Sequence, residues 1–142
     1  MANSSSHPYC GCLYFSANAL ARIMTKMAEE EFAPVKLAPS YAFLLMTVNK
    51  SPGIHPIEIS KTMMLQPSTV TRLIEKMERQ GYLERVIEGK YTHVYPRKAS
   101  LELDGEIKRC WHNLLKRYES AIGKEKSIQV TADVYQAAIT LS

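Results

Sequence analysis

The side chains best suited to chemistry in this sequence lie close together, between His55 and Tyr95. Ser68, Thr69, Thr71, Arg72, Lys76 and Arg79 fall on one segment, which opens at Pro67 and stops at Gly81. Within it, Val70, Leu73, Ile74 and Met77 keep the i, i+3, i+4, i+7 spacing of a helix that buries one stripe. The hydroxyl and cationic residues are left for the opposite face. Small hydroxyls near the first turn allow close approach to a surface. Arg72 reaches past them to a base edge or a phosphate, and Lys76 and Arg79 continue the positive charge. The free N–H groups and the dipole at the helix start favour an anion there. This is the chemistry of nucleic-acid recognition, not of bond cleavage. The plain alternative is a solvated face that binds nothing.

The elements around this segment can be read from period and punctuation. Leu13, Ala17, Leu20, Met24 and Met27 repeat at helical steps within residues 12–31, and Pro34 ends that helix. Pro39 and Ser40 open a second helix whose run Tyr41–Val48 is apolar on nearly every side and therefore expected to be buried. After the Ser51-Pro52-Gly53 break, Pro56 starts a short helix to about Met63. A tight turn at Leu65-Gln66 joins it to the helix from Pro67, making a helix-turn-helix. Gly81 suits the left-handed position past a helix end. Residues 82–87 and 91–95, rich in β-branched and aromatic types, flank Glu88-Gly89-Lys90 and read as a hairpin with a three-residue turn. Lys90 stands at its tip. Leu103, Ile107, Trp111, Leu114, Tyr118 and Ile122 mark a long helix, Gly123 interrupts it, and Val130, Val134, Ala138 and Leu141 form a last stripe. The fold class expected is mostly α with a small two-stranded β wing.

The chain has 142 residues, of which 46% are hydrophobic and 23% charged, as expected of one globular domain. Its longest apolar run, Tyr41 to Met46, is far short of the roughly 20 residues a membrane span needs. The polar N-terminus lacks the pattern of a signal peptide, so a cytoplasmic protein is expected. Eighteen basic against fourteen acidic residues give a net charge of +4, which permits a polyanionic partner without requiring one. Only two acids are Asp (Asp104 and Asp133), both in helical segments. No Gly-rich phosphate loop, nucleophile elbow or paired-carboxylate motif is present, so the reading is that the chain is not an enzyme and needs no cofactor.

Three cysteines, Cys10, Cys12 and Cys110, are too few and odd in number for a disulfide framework. Cys10 and Cys12 stand where the first helix begins, where the dipole favours a thiolate. Cys110 reads as a small buried hydrophobe beside Trp111. His7, Cys10 and Cys12 fall short of the four ligands of a zinc site, and His55, His93 and His112 are scattered singly, so no metal is expected.

The run from Ile57 to Lys61 and the run Leu65-Gln66-Pro67-Ser68-Thr69-Val70-Thr71-Arg72-Leu73-Ile74-Glu75-Lys76-Met77-Glu78-Arg79-Gln80-Gly81-Tyr82-Leu83-Glu84-Arg85 resemble the MarR family of winged-helix transcriptional regulators. The element order is similar from about Leu13 to the C-terminus. The resemblance implies a winged helix-turn-helix over about 39–97 and dimerisation helices over about 12–31 and 98–142, with a flexible arm at 1–11. It implies a homodimer reading a pseudo-palindromic double-stranded DNA operator through Ser68, Thr69, Thr71, Arg72, Lys76, Arg79 and Lys90. The function implied is a repressor released by a small ligand or an oxidant. A winged-helix protein-interaction module without specific DNA binding is the alternative.

The sequence departs from the family in two places. The hairpin is short and lacks the family's Asp-x-Arg, so the minor-groove contact of the wing is either lost or passes to Lys90. Gln66, a poor N-cap, precedes the DNA-facing helix. Oxidant-sensing relatives use a cysteine in the first helix, sometimes with a partner in the long C-terminal helix of the other subunit. Cys12 and Cys110 lie in those elements, but Tyr14 occupies the position the sensing cysteine usually takes. A ligand in this family lodges between dimer helices and winged helix, which points to Tyr14, Met24, Tyr41, Leu44 and Trp111.

Overall fold

The computed structural model describes residues 7–142. Helix α1 (Leu13–Glu31) leads through a 3-10 turn (Ala33–Val35) to α2 (Pro39–Lys50), α3 (Pro56–Met63) and α4 (Pro67–Arg79). The hairpin β1 (Leu83–Glu88) and β2 (Tyr91–Pro96) follows, then α5 (Lys98–Ile122) and α6 (Lys124–Leu141). Among the described residues the fold is thus six α-helices and one antiparallel two-stranded sheet, a winged helix-turn-helix set on long flanking helices. No helix among the described residues is long and apolar enough to cross a membrane.

The core sits where α2, α4, the wing and the middle of α5 meet. Ala42, Leu44, Leu45 and Val48 of α2 are buried, as the all-round apolar run predicts. Val70, Leu73, Ile74 and Met77 of α4 are buried together, so the helical period alone assigned that face. Each such side chain contributes about 1.5–3 kcal/mol relative to exposure. Leu83 and Val94 close the core from the wing, and Ile107, Cys110 and Leu114 close it from α5. A partly buried polar joint ties α2 to α5. The Ser100 hydroxyl donates to Asn49 Oδ1 at 2.7 Å, and Asn49 Nδ2 donates to the Ser100 carbonyl at 3.1 Å and to Asp104 at 2.9 Å. Asn49 and Ser100 thus satisfy each other's polar groups.

Several boundaries differ from the sequence expectation. The turn of the hairpin is two residues, Gly89-Lys90, because Glu88 pairs with Tyr91 as the last rung. Gly89 has φ 63°, the left-handed value that a tight hairpin needs at its first position. Helix α6 starts at Lys124, directly after the interruption expected at Gly123. Of the expected arm at 1–11, residues 1–6 lie outside the described residues, and residues 7–11 form turns that lead into α1. The His7 and Tyr9 rings pack on Phe15 with centroids 5.1 and 5.3 Å away, and the Cys12 amide donates to the Tyr9 carbonyl at 3.0 Å.

Candidate nucleic-acid interface

The joint between α3 and α4 sets the direction of α4. Met64 ends α3 at φ 54°, and the Leu65 amide donates back to the Ser60 carbonyl at 3.1 Å. This closes α3 without glycine. Pro67 then begins α4, its missing N–H falling where none is needed. At the other end Gly81, at φ 84°, lets the Tyr82 amide donate to the Met77 carbonyl at 2.9 Å and its own amide to Glu78 at 3.1 Å. That pair of bonds is the glycine-terminated stop expected from the sequence.

Ser68, Thr71, Arg72, Lys76 and Arg79 are exposed on α4, and Thr69 is half-buried. No described acid pairs with Arg72, Lys76 or Arg79, so these three charges face outward uncompensated. The Thr71 hydroxyl donates to the Pro67 carbonyl at 3.0 Å, which leaves its lone pairs, not its proton, for a ligand. The Lys76 ammonium lies 5.0 Å over the Tyr41 ring, a cation–π contact that fixes it on one flank of α4. Lys90 is exposed at the wing tip, 5.8 Å over the Tyr91 ring.

The wing is clamped to α4 by residues to which the sequence reading gave no role. The Arg85 guanidinium donates to Glu78 Oε1 at 2.9 Å, the Arg85 amide donates to Glu78 Oε2 at 3.2 Å, and Glu75 lies 3.9 Å away. The Arg85 hydrogen bond lowers the Glu78 carboxyl pKa against the opposing effect of burial. Both residues stand in the motif run around Gly81; an acid and an arginine on either side of a helix stop were the available signal.

The five pocket candidates do not line one cavity. Trp111 lines a cleft of about 1000 Å³ between α2, α3 and α5, with Phe43, Met46, Met63 and Leu65 as its apolar walls and Asp104 and Lys108 at its rim. Met24 lines a separate groove of about 430 Å³ between α1, α5 and α6. Leu44 is core, wholly buried, because α2 turns that face inward. Tyr41 sits under Lys76, and Tyr14 is exposed near the start of α1. At the cleft rim, burial alone would raise Asp104, but hydrogen bonds with Lys108 and Asn49 outweigh it and hold its carboxyl low.

The cysteines part company. Cys10 and Cys12 are exposed, whereas Cys110 is 2% exposed and burial pushes its thiol pKa up, with Glu106 adding to the effect. No three His, Cys, Asp or Glu side chains among the described residues converge to hold a metal ion.

Residues 37–88 match the MarR family. No curated protein matches the sequence. The fold is shared with MepR of Staphylococcus aureus in its DNA complex, at TM-score 0.79 and 14% identity over 92% of this chain and 98% of that one. It is shared with a MarR family transcriptional regulator from Listeria monocytogenes complexed with 26mer DNA, at TM-score 0.73 and 17% identity over 90% and 87%. CouR from Rhodococcus jostii RHA1, bound to p-coumaroyl-CoA, matches at TM-score 0.74 and 16% identity over 89% and 90%.

Proposed function

We propose that this chain, a MarR-family winged helix by its fold and by residues 37–88, is a dimeric, sequence-specific DNA-binding transcriptional regulator of the cytoplasm. The observation that carries this reading is the outward face of α4: Arg72, Lys76 and Arg79, with no described acid to neutralise them, follow Ser68 and Thr71 on a helix held rigid by its buried stripe and its Gly81 stop. Such a face enters a major groove, with the hydroxyls against the backbone and Arg72 at a base edge. Lys90 adds a phosphate contact from the wing.

Dimerisation is supported by α1, which buries no residue within the single chain. Leu13, Leu20 and Ile23 on α1 and Ile128, Val134 and Leu141 on α6 are exposed apolar side chains on neighbouring helices. A second copy covering them would pair two recognition helices for a pseudo-palindromic operator.

The release signal favoured is a small ligand in the cleft between α2, α3 and α5. An occupant there would press on both α2 and α5, which the Asn49–Ser100 joint otherwise holds together. The buried, high-pKa Cys110 thiol disfavours an oxidant as the signal, because the thiolate is the reactive form. Titration of mixed-sequence duplex DNA at several salt concentrations tests the reading. The logarithm of the binding constant should fall linearly with the logarithm of salt concentration, and salt-independent binding to a protein partner would favour the interaction-module alternative.

A further inference from the structure

His55 and His93 stand on different elements and hold each other's backbone. The Nδ1 atom of His55, just before α3, lies 3.0 Å from the Thr92 carbonyl on β2. The Nδ1 atom of His93, on β2, lies 3.1 Å from the Gly53 carbonyl in the α2–α3 loop. A carbonyl can only accept, so both Nδ1 atoms carry the proton and donate it. Between these two bonds, the Gly53 amide donates to the Val94 carbonyl at 2.8 Å and the Val94 amide to the Ile54 carbonyl at 3.0 Å. The loop thereby becomes a third strand against the wing over one rung.

The side chains continue the brace toward the wing tip. Tyr91, His93 and Tyr95 alternate along one face of β2, and the His55 ring enters among them. Its centroid is 4.6 Å from His93 and 5.9 Å from Tyr91, and His93 is 6.5 Å from Tyr95. At the base, a Cβ on Gly53 would come within a tight 3.2 Å of the Tyr95 hydroxyl, and the φ of 87° there favours glycine. At the tip, the Lys90 ammonium rests over the Tyr91 ring that His55 supports. Glu88 approaches the free side of His93, its carboxylate 3.8 Å from Nε2.

A two-stranded hairpin is at best marginally stable without further packing. Its tip would otherwise sample many positions, and a phosphate contact from it would bear the cost of ordering them. We infer that His55 and His93 are positioning residues for DNA binding: their crossed hydrogen bonds and ring ladder hold Tyr91, and through it Lys90, at the height where the wing meets a phosphate. This rests on the DNA-binding reading above and adds to it two residues that touch no DNA themselves.

A double-variant cycle on mixed-sequence duplex DNA tests the inference, with thermal melting recorded for every variant. Lys90→Ala should flatten the salt slope by about 0.9, as the loss of one phosphate contact does. His55→Ala should reproduce most of that flattening at a temperature where the variant is folded. In the Lys90→Ala background His55→Ala should cost nothing more. His55→Asn, which keeps an N–H aimed at Thr92, should recover part of the slope; His93→Gln supplies a second arm should His55→Ala fail to fold. A wild-type slope in both folded histidine variants, or losses that simply add in the double variant, would overturn the inference. Should Lys90→Ala itself bind as the wild type does, the wing contact fails and the inference with it, while loss of binding in Arg72→Ala would leave the reading of α4 standing.

Discussion

The Glu78 carboxylate receives both the guanidinium of Arg85, at 2.9 Å, and the Arg85 backbone amide, at 3.2 Å. A single acid on the last turn of α4 thus fixes the first rungs of the wing. This carboxylate ties α4 directly to the wing, beside the rung that joins Val94 to the α2–α3 loop.

Glu78→Gln should therefore weaken the fold, by about 1 kcal/mol given that both side chains are about one-third exposed and screened by water. The Glu78 pKa is lower folded than unfolded. Its stabilisation is consequently present above the unfolded carboxylate pKa and lost as pH falls through the folded one. Urea melts of wild type and variant should differ at pH 7 and converge in acid. A difference that persists unchanged in acid would mean that the charge of Glu78 is not what matters.

Ser60 presents the opposite situation. Its hydroxyl is buried in α3 with no hydrogen-bond partner among the described residues. An unmet buried hydroxyl costs about 1–3 kcal/mol, so Ser60→Ala should raise the melting temperature by a few degrees and leave DNA affinity unchanged. A lower melting temperature would show that the hydroxyl has a partner in solution.

The thiols should separate by rate. Cys10 and Cys12, exposed, should react with a thiol reagent in the native protein at pH 7, and Cys110 only on unfolding. Rapid reaction of Cys110, or a peroxide-induced disulfide dimer lost in Cys110→Ser, would restore an oxidant as the release signal.

The apolar faces of α1 and α6 carry the dimer proposal. Sedimentation should show a species of twice the 16.1 kDa chain, and Val134→Glu, at a side chain 53% exposed in the single chain, should shift it to monomer. A wild-type protein that sediments only as a monomer at micromolar concentration would contradict the proposal.

What the sequence disclosed follows from range. The stripe Val70-Leu73-Ile74-Met77, the stop at Gly81 and the exposed face of α4 are written in residues a turn or two apart, and periodicity resolves them. The hairpin is legible from its β-branched runs, but its turn is one residue shorter than they suggest, because Glu88 is a charged residue with little strand preference and only pairing with Tyr91 makes it strand. The Asn49–Ser100 joint and the His55–His93 brace join residues distant in the chain, and no local pattern marks them. The pocket candidates scattered for the same reason: Leu44, Trp111 and Met24 are each apolar in a helix, and only packing decides which of them faces core, cleft or groove.

The central claim is that the outward face of α4 reads base sequence, and Arg72 tests it most directly. Selection from a random-sequence duplex pool should enrich a pseudo-palindromic site. Affinities of wild type and Arg72→Ala for that site and for mixed-sequence DNA should then diverge. The account predicts that the variant loses about 1–3 kcal/mol per bidentate contact on the selected site, with a much smaller loss on mixed-sequence DNA. No enrichment of any site by the wild type, or an Arg72→Ala variant with the wild-type ratio of the two affinities, would contradict it.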